Sequence, residues 1–219
     1  MTALFVTGTD TGVGKTFVAC ALALALRRHG RRVAVMKPVE TGVDGEPEDA
    51  LRLRAAAGDP ASLADVCPYR LRAPLAPAIA ARLEHTMIDV DRLVALIRRR
   101  ADAADVLLVE GAGGLLVPVH GRTTWAEVAE RVGFPLLLVG ANRLGTINHC
   151  ALTARVAATA GLSVAGFVLS QPAPQTDESS SSNAAAVAEF TGLPCWGIVP
   201  HLPSPEDAVS FLDVDRALL

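Results

Sequence analysis

The apolar run Ala3-Leu4-Phe5-Val6 leads into Gly8-Thr9-Asp10-Thr11-Gly12-Val13-Gly14-Lys15-Thr16, and the strongly apolar stretch Phe17 to Leu26 follows. A strand, a glycine-rich turn and a helix in that order leave few folds open, because the turn sets a helix N-terminus against the end of a buried strand. The glycines let successive backbone N–H groups turn inward with no Cβ in the way. The helix end adds partial positive charge, so the turn is suited to phosphate. In such a loop Gly12, Val13, Gly14 and Phe17 frame a nucleotide's phosphates and Lys15 reaches the β- and γ-phosphates. The Thr16 hydroxyl ligates Mg²⁺.

The rest of the chain is read against that turn. Its 219 residues suit one α/β domain spanning 1–219, since single cores commonly stop growing beyond about 250 residues. A hydrophobic fraction of 51% and a mean hydropathy of +0.36 are high. No uncharged apolar stretch approaches the roughly 20 residues of a membrane-spanning helix, so buried parallel strands account for the hydropathy and no membrane partner is expected. A formal net charge of −3 supplies no basic field for nucleic acid. Cys20, Cys67, Cys150 and Cys195 lie far apart with no CxxC pair, which predicts buried thiols. The N-terminus enters a strand almost at once, with no basic and apolar leader, and a reducing cytoplasm is expected.

Hydrophobic runs and breakers place the remaining elements. His29-Gly30 closes the first helix, and Arg32 to Met36 reads as a second strand ending in Lys37-Pro38-Val39. The polar stretch Glu40 to Asp49 predicts a mobile loop, and Ala50 to Ala57 a short helix stopped by Gly58-Asp59-Pro60. Prolines break Pro68 to Pro77; helices follow over Ala78 to Glu84 and Asp91 to Arg100. Asp105 to Glu110 is an apolar strand closed by an acidic residue and the turn Gly111-Ala112-Gly113-Gly114. Strands over Leu136 to Gly140, Val164 to Leu169 and Trp196 to Val199 and a helix over Thr146 to Ala160 complete the pattern. Gln171 to Asn183, with four consecutive serines, reads as a poorly ordered surface linker. Strands alternating with helices predict a three-layer α/β sandwich around a mostly parallel sheet, of the phosphate-loop NTPase kind.

In such a sheet ligands bind beyond the carboxyl ends of the strands. The first strand delivers the phosphate loop there, the second Lys37, and the strand ending at Glu110 a carboxylate with a glycine turn. A carboxylate closing a buried strand needs a cation partner. Thr16, Glu110 and one acid from the polar loop, Asp49, suit the sparse oxygen shell that Mg²⁺ takes beside phosphate. Lys37 is placed to neutralise charge developing on a transferred phosphoryl group. Gly145, Thr146, Ile147 and Asn148 open a helix whose free N–H groups could hold a carboxylate.

Taken together, the phosphate loop, Lys37-Pro38-Val39, Val109-Glu110-Gly111-Ala112-Gly113-Gly114 and Leu144-Gly145-Thr146-Ile147-Asn148-His149 resemble the dethiobiotin synthetases, in order and over nearly the whole chain. The resemblance implies a ligase that converts 7,8-diaminopelargonic acid, CO₂ and ATP to dethiobiotin, ADP and phosphate. A carbamate attacks the γ-phosphate, and the second amine closes a ureido ring on the resulting mixed anhydride. It implies catalytic roles for Lys15 and Lys37, Mg²⁺ on Thr16, Asp49 and Glu110, and contacts from Thr11 and Thr41 to the diamine. The nucleotide would border Gly111, Ala112, Gly113, Ser170, Gln171, Pro200, His201, Leu202 and Glu206. It also implies a homodimer, with the substrate carboxylate held at Gly145 to Asn148 of the neighbouring subunit. Two positions depart from the family pattern: Gly12 stands where many relatives carry Glu, and Ser170 stands where many carry an adenine-binding Asn. A regulatory ATPase of the partitioning or septum-placement type is the rival reading. That class carries an extra lysine early in the loop, where this chain has Asp10.

Overall fold

The computed structural model describes residues 2–175 and 177–217. In chain order the strands are β1 (Thr2–Gly8), β2 (Val33–Met36), β3 (Val39–Thr41), β4 (Tyr69–Leu71), β5 (Val106–Gly114), β6 (Pro118–His120), β7 (Thr123–Thr124), β8 (Leu136–Ala141), β9 (Val164–Ser170) and β10 (Cys195–Val199). The helices are α1 (Lys15–Arg28), α2 (Glu48–Ala57), α3 (Leu63–Val66), α4 (Pro77–Leu83), α5 (Val90–Ala101), α6 (Trp125–Val132), α7 (Thr146–Thr159) and α8 (Asn183–Thr191).

Six strands form one parallel sheet in the order β10-β9-β8-β1-β5-β2, as the alternating pattern predicts. The central strands are buried on both faces, which is why they read as unbroken apolar runs. Alternate residues feed different cores. Leu4 and Val6 pack with the apolar side of α1, whereas Phe5 joins Leu93, Ile97 and Trp125 from α5 and α6. The Phe5 and Trp125 rings lie 5.9 Å apart, and the indole N–H donates to the Ala112 carbonyl at 2.9 Å. The four cysteines are free thiols; Cys20, Cys67 and Cys150 are buried, and burial pushes Cys20 and Cys67 up to about 12. Among the described residues no helix is long and apolar enough to cross a membrane.

Several elements differ from what the sequence predicts. The stretch from Glu40 opens as β3, which pairs in parallel with β4, and Asp49 lies in the first turn of α2, not in a loop. The turn predicted over Gly111-Ala112-Gly113-Gly114 instead continues β5, because Gly8 pairs with Gly114 after a shift in register. Helix α6 is an addition: Thr124 and Glu127 form a reciprocal capping box at its start. The linker expected over Gln171 to Asn183 contains a short 3₁₀ turn, Glu178–Ser181, and ends where α8 begins; Thr176 lies outside the described residues.

Asp59 does more than stop α2. Its carboxylate accepts the Val35 N–H at 2.9 Å and the Ala61 N–H at 3.0 Å, and it is paired with the Arg100 guanidinium in a buried contact. Helix α2, strand β2 and helix α5 thus meet at one ion pair. Removing one partner leaves the other charge buried alone, so Asp59→Ala is expected to lower the unfolding free energy by about 3–5 kcal/mol. Urea unfolding followed by Trp fluorescence measures this; a loss under about 1 kcal/mol, the range of an exposed pair, would contradict it.

Candidate active site

Strand register builds the site. Met36 pairs with Val109 and Val6 with Glu110, so Lys37, the residue after Met36, arrives beside Glu110 just under the phosphate loop. The backbone N–H of Lys37 donates to the Val66 carbonyl at 2.9 Å, which fixes the chain where the strand ends. Pro38 then turns it into β3.

The Glu110 carboxylate is 1% exposed. Its Oε1 accepts the Thr16 hydroxyl at 2.8 Å and the Lys37 ammonium in a close contact. Lys37 Nζ also donates to Asp49 Oδ2 at 2.9 Å. Burial works against the Lys37 charge, but the Glu110 and Asp49 carboxylates overcome it and raise its pKa above the ordinary lysine value. Burial likewise works against the Asp49 charge; the charge and hydrogen bond of Lys37, with help from Thr16, hold its carboxyl below the usual range.

Lys15 sits in the same cleft, 6% exposed, and donates from Nζ to the Asp10 carbonyl of its own loop at 2.8 Å. Burial lowers its pKa to about 8, with Glu110 pulling it up and Lys37 pushing it down. The loop itself depends on glycine at Gly14, where φ is 88° and a Cβ would lie 2.4 Å from the Ser170 hydroxyl.

A cleft of about 370 Å³ runs across these groups, walled by Thr11, Gly12, Gly14 to Phe17, Lys37, Glu40, Thr41, Asp49, Arg52, Glu110, Ala112 and Gly113. Its donor set fits a hard divalent cation: Glu110 Oε2 is buried with no hydrogen-bond partner, beside the Thr16 hydroxyl and the Asp49 carboxylate. Among the described residues there is no cluster of three or more His, Cys, Asp or Glu with metal-binding geometry. Thr16, Asp49 and Glu110 supply a sparse set of oxygens.

The other residues singled out from sequence fall outside this cleft. Val13 is buried beneath the loop, and Gly111 packs on Phe5 and Trp125. Ser170 is buried against Gly14, while the Gln171 N–H donates to the Val199 carbonyl at 2.9 Å. Pro200, His201, Leu202 and Glu206 lie in the segment that follows β10. Gly145 adopts φ 93° as N-cap of α7; Thr146 is buried on Cys150, and Asn148 borders a separate groove with Leu152 and Phe190. The loop before α7 is braced by the serine-rich segment. Asn183 Nδ2 donates to Asn142 Oδ1 at 3.0 Å and to the Arg143 carbonyl at 3.2 Å, and Leu144 N–H donates to Asp177 at 2.7 Å.

Two cleft residues escape the sequence reading. Arg52 follows Asp49 by three positions and shares its helix face, a spacing that could have drawn notice. Glu40 carried no local signal: burial raises its pKa, while the Ala50 and Asp49 N–H groups it accepts hold it back.

A family model described as an AAA domain matches residues 2–208. Curated relatives named ATP-dependent dethiobiotin synthetase include one from Anaeromyxobacter dehalogenans, 48% identical over 93% of this chain and 92% of its own length. Another, from Aromatoleum aromaticum, is 42% identical over 94% of this chain and 93% of its own. Among solved structures, the MinC:MinD cell division protein complex of Aquifex aeolicus matches with a TM-score of 0.60 at 12% identity, over 100% of this chain and 95% of that one. A ParA family ATPase from Chlorobium tepidum matches with a TM-score of 0.59 at 16% identity, over 98% of both chains. At those identities the structural likeness speaks for the fold alone.

With Lys15 near pH 8 in the free protein, polyphosphate binding favours its charged form and raises its pKa. Binding at pH 8 is therefore expected to take up a fraction of a proton, and affinity to fall as pH rises further. Calorimetry in buffers of different ionisation enthalpy reads the uptake. It should shrink toward pH 6.5 and vanish in Lys15→Arg; a buffer-independent heat at pH 8 would contradict the assignment.

Proposed function

The chain belongs to the ATP-dependent dethiobiotin synthetase family, and from that premise we propose that it carboxylates and cyclises 7,8-diaminopelargonic acid through a carbamate and a carbamic–phosphoric anhydride. Family membership makes it an ATP-dependent ligase of biotin synthesis. The observation that carries the finer reading is the Lys37 ammonium held between Glu110 and Asp49, with Lys15 and Thr16 alongside and the hydroxyls of Thr11 and Thr41 on the walls of the same cleft.

Each group has work that suits its chemistry. The loop N–H groups and Lys15 receive the β- and γ-phosphates. Thr16, Asp49 and Glu110 would hold Mg²⁺, which supplies charge neutralisation on the phosphate oxygens. One substrate amine adds to CO₂ and loses a proton, giving a carbamate. A carbamate oxygen attacks the γ-phosphorus, and the bond to the ADP oxygen breaks. Lys37 neutralises charge on the carbamate and the moving phosphoryl group, the task for which a buried ammonium is strongest. The second amine then attacks the carbamoyl carbon, closes the ureido ring and expels phosphate. Thr11 and Thr41 are suited to orient the amines through their hydroxyls.

A homodimer that brings the α7 N-terminus of the neighbouring chain to the substrate carboxylate is part of the proposal. Its support is the left-handed Gly145 cap, which leaves the first N–H groups of α7 unengaged by a capping side chain. Asp10 speaks against a partitioning-type ATPase, because its side chain accepts its neighbour's N–H at 2.7 Å and offers no cation to a second subunit.

Purified protein with Mg²⁺, ATP, bicarbonate and diaminopelargonate is expected to release phosphate only when the diamine is present. Phosphate release indifferent to the diamine would contradict the function. In Lys37→Ala, kcat is expected to fall about 10²–10³-fold, the usual cost of a lost transition-state donor, with nucleotide affinity changed less than about threefold. Equal losses in both would remove Lys37 from the transition state. Because a hydroxyl at Ser170 lacks the paired donor and acceptor of an amide, competition among ATP, CTP and GTP is expected to show less than about tenfold preference for any base. A preference for ATP of about a thousandfold would contradict that view of the base pocket.

A further inference from the structure

Helix α2 starts without a local cap, since Pro47 holds the N-cap position and its side chain accepts no hydrogen bond. The N–H groups that an N-cap residue normally serves, at the second and third helical positions, belong here to Asp49 and Ala50. Both are taken by one carboxylate from outside the helix. Glu40 Oε1 accepts from Asp49 at 3.0 Å and Oε2 from Ala50 at 2.9 Å. Glu40 is 7% exposed and stands on β3, only three residues after Lys37. The charge removed from water is thus compensated by two amides and a helix end.

The consequence reaches beyond the helix. Asp49 is held twice, through its N–H by Glu40 and through its carboxylate by Lys37. Lys37 and Glu40 are anchored to one short segment, so the strand end that positions the ammonium also positions the acid facing it. From this geometry we propose that Glu40 is a positioning residue: by capping α2 from β3 it sets where the Asp49 carboxylate stands relative to Lys37 and Thr16, and thereby the affinity of the cleft for a divalent cation. The proposal rests on the reading of Asp49 as a metal ligand. Glu40 need not touch the nucleotide or the reacting atoms for this role.

Mn²⁺ binding in the presence of ADP, followed by electron paramagnetic resonance, tests it without turnover. Glu40→Gln keeps the size of the side chain but weakens the cap, and is expected to lower Mn²⁺ affinity tenfold or more, the usual range for residues that orient metal ligands. Amide exchange at Asp49 and Ala50 should quicken in parallel. Adding Pro47→Ser to Glu40→Gln supplies a local cap and should restore both exchange protection and Mn²⁺ affinity. Mn²⁺ affinity within twofold of native in Glu40→Gln would overturn the proposal. So would a double variant with restored protection but weak Mn²⁺ binding, because Glu40 would then act through its own charge. Asp49→Asn separates the two levels: native-like Mn²⁺ affinity in that variant would overturn the metal role of Asp49 and the proposal with it, whereas weakened binding in Asp49→Asn with native-like binding in Glu40→Gln would overturn the proposal alone.

Discussion

A buried ammonium flanked by two carboxylates, Lys37 with Glu110 and Asp49, is the interaction around which this site is arranged. Each charge would be costly to bury alone, and each is tolerated because the strand register delivers the others to it. The pairing leaves Glu110 Oε2 buried with no hydrogen-bond partner. An oxygen left in that condition next to a threonine hydroxyl and a second acid is what a hard cation and a phosphate would complete. The same low dielectric that makes the cluster expensive would, in the proposed reaction, strengthen its action on a transferred phosphoryl group.

The sheet explains why the cluster sits where it does. Parallel strands end on a common edge, and β1, β2 and β5 place the phosphate loop, Lys37 and Glu110 side by side there. Helix α2 closes the arrangement from above with Asp49. Its far end is fixed by Asp59 on Val35 and Arg100, and its near end by Glu40, so both termini are held by acids anchored to the strand side of the molecule. The likeness to ParA and MinD structures speaks for this sheet alone, while the cleft's chemistry depends on side chains such as Lys37.

Features written in contiguous residues were legible in the sequence. The phosphate loop is one, since its spacing and flanks are local, and the strand ends at Lys37 and Glu110 are others, because an acid or lysine closing an apolar run stands out. In the sequence Asp49 reads as a loop residue, because Pro47 offers no capping side chain to announce the helix start. Its cap comes from Glu40, nine residues earlier. The serine-rich segment reads as linker because the bonds that dock it join Asn183 to Asn142, 41 residues apart. Helix α6 did carry a local signal, the Thr124 to Glu127 box, but the helix is only eight residues long. Contacts distant in sequence and built from common polar residues are what periodicity and motif reading pass over.

In the proposed reaction the phosphoryl acceptor in this cleft is a carbamate. Turnover with C¹⁸O₂ in unlabelled water, stopped before the gas exchanges with solvent, tests it directly by following both oxygens. One ¹⁸O is expected in the released phosphate, from the carbamate oxygen that attacked phosphorus, and one in the ureido carbonyl of the product. Phosphate free of ¹⁸O, with both labels absent from it while product still forms, would contradict it.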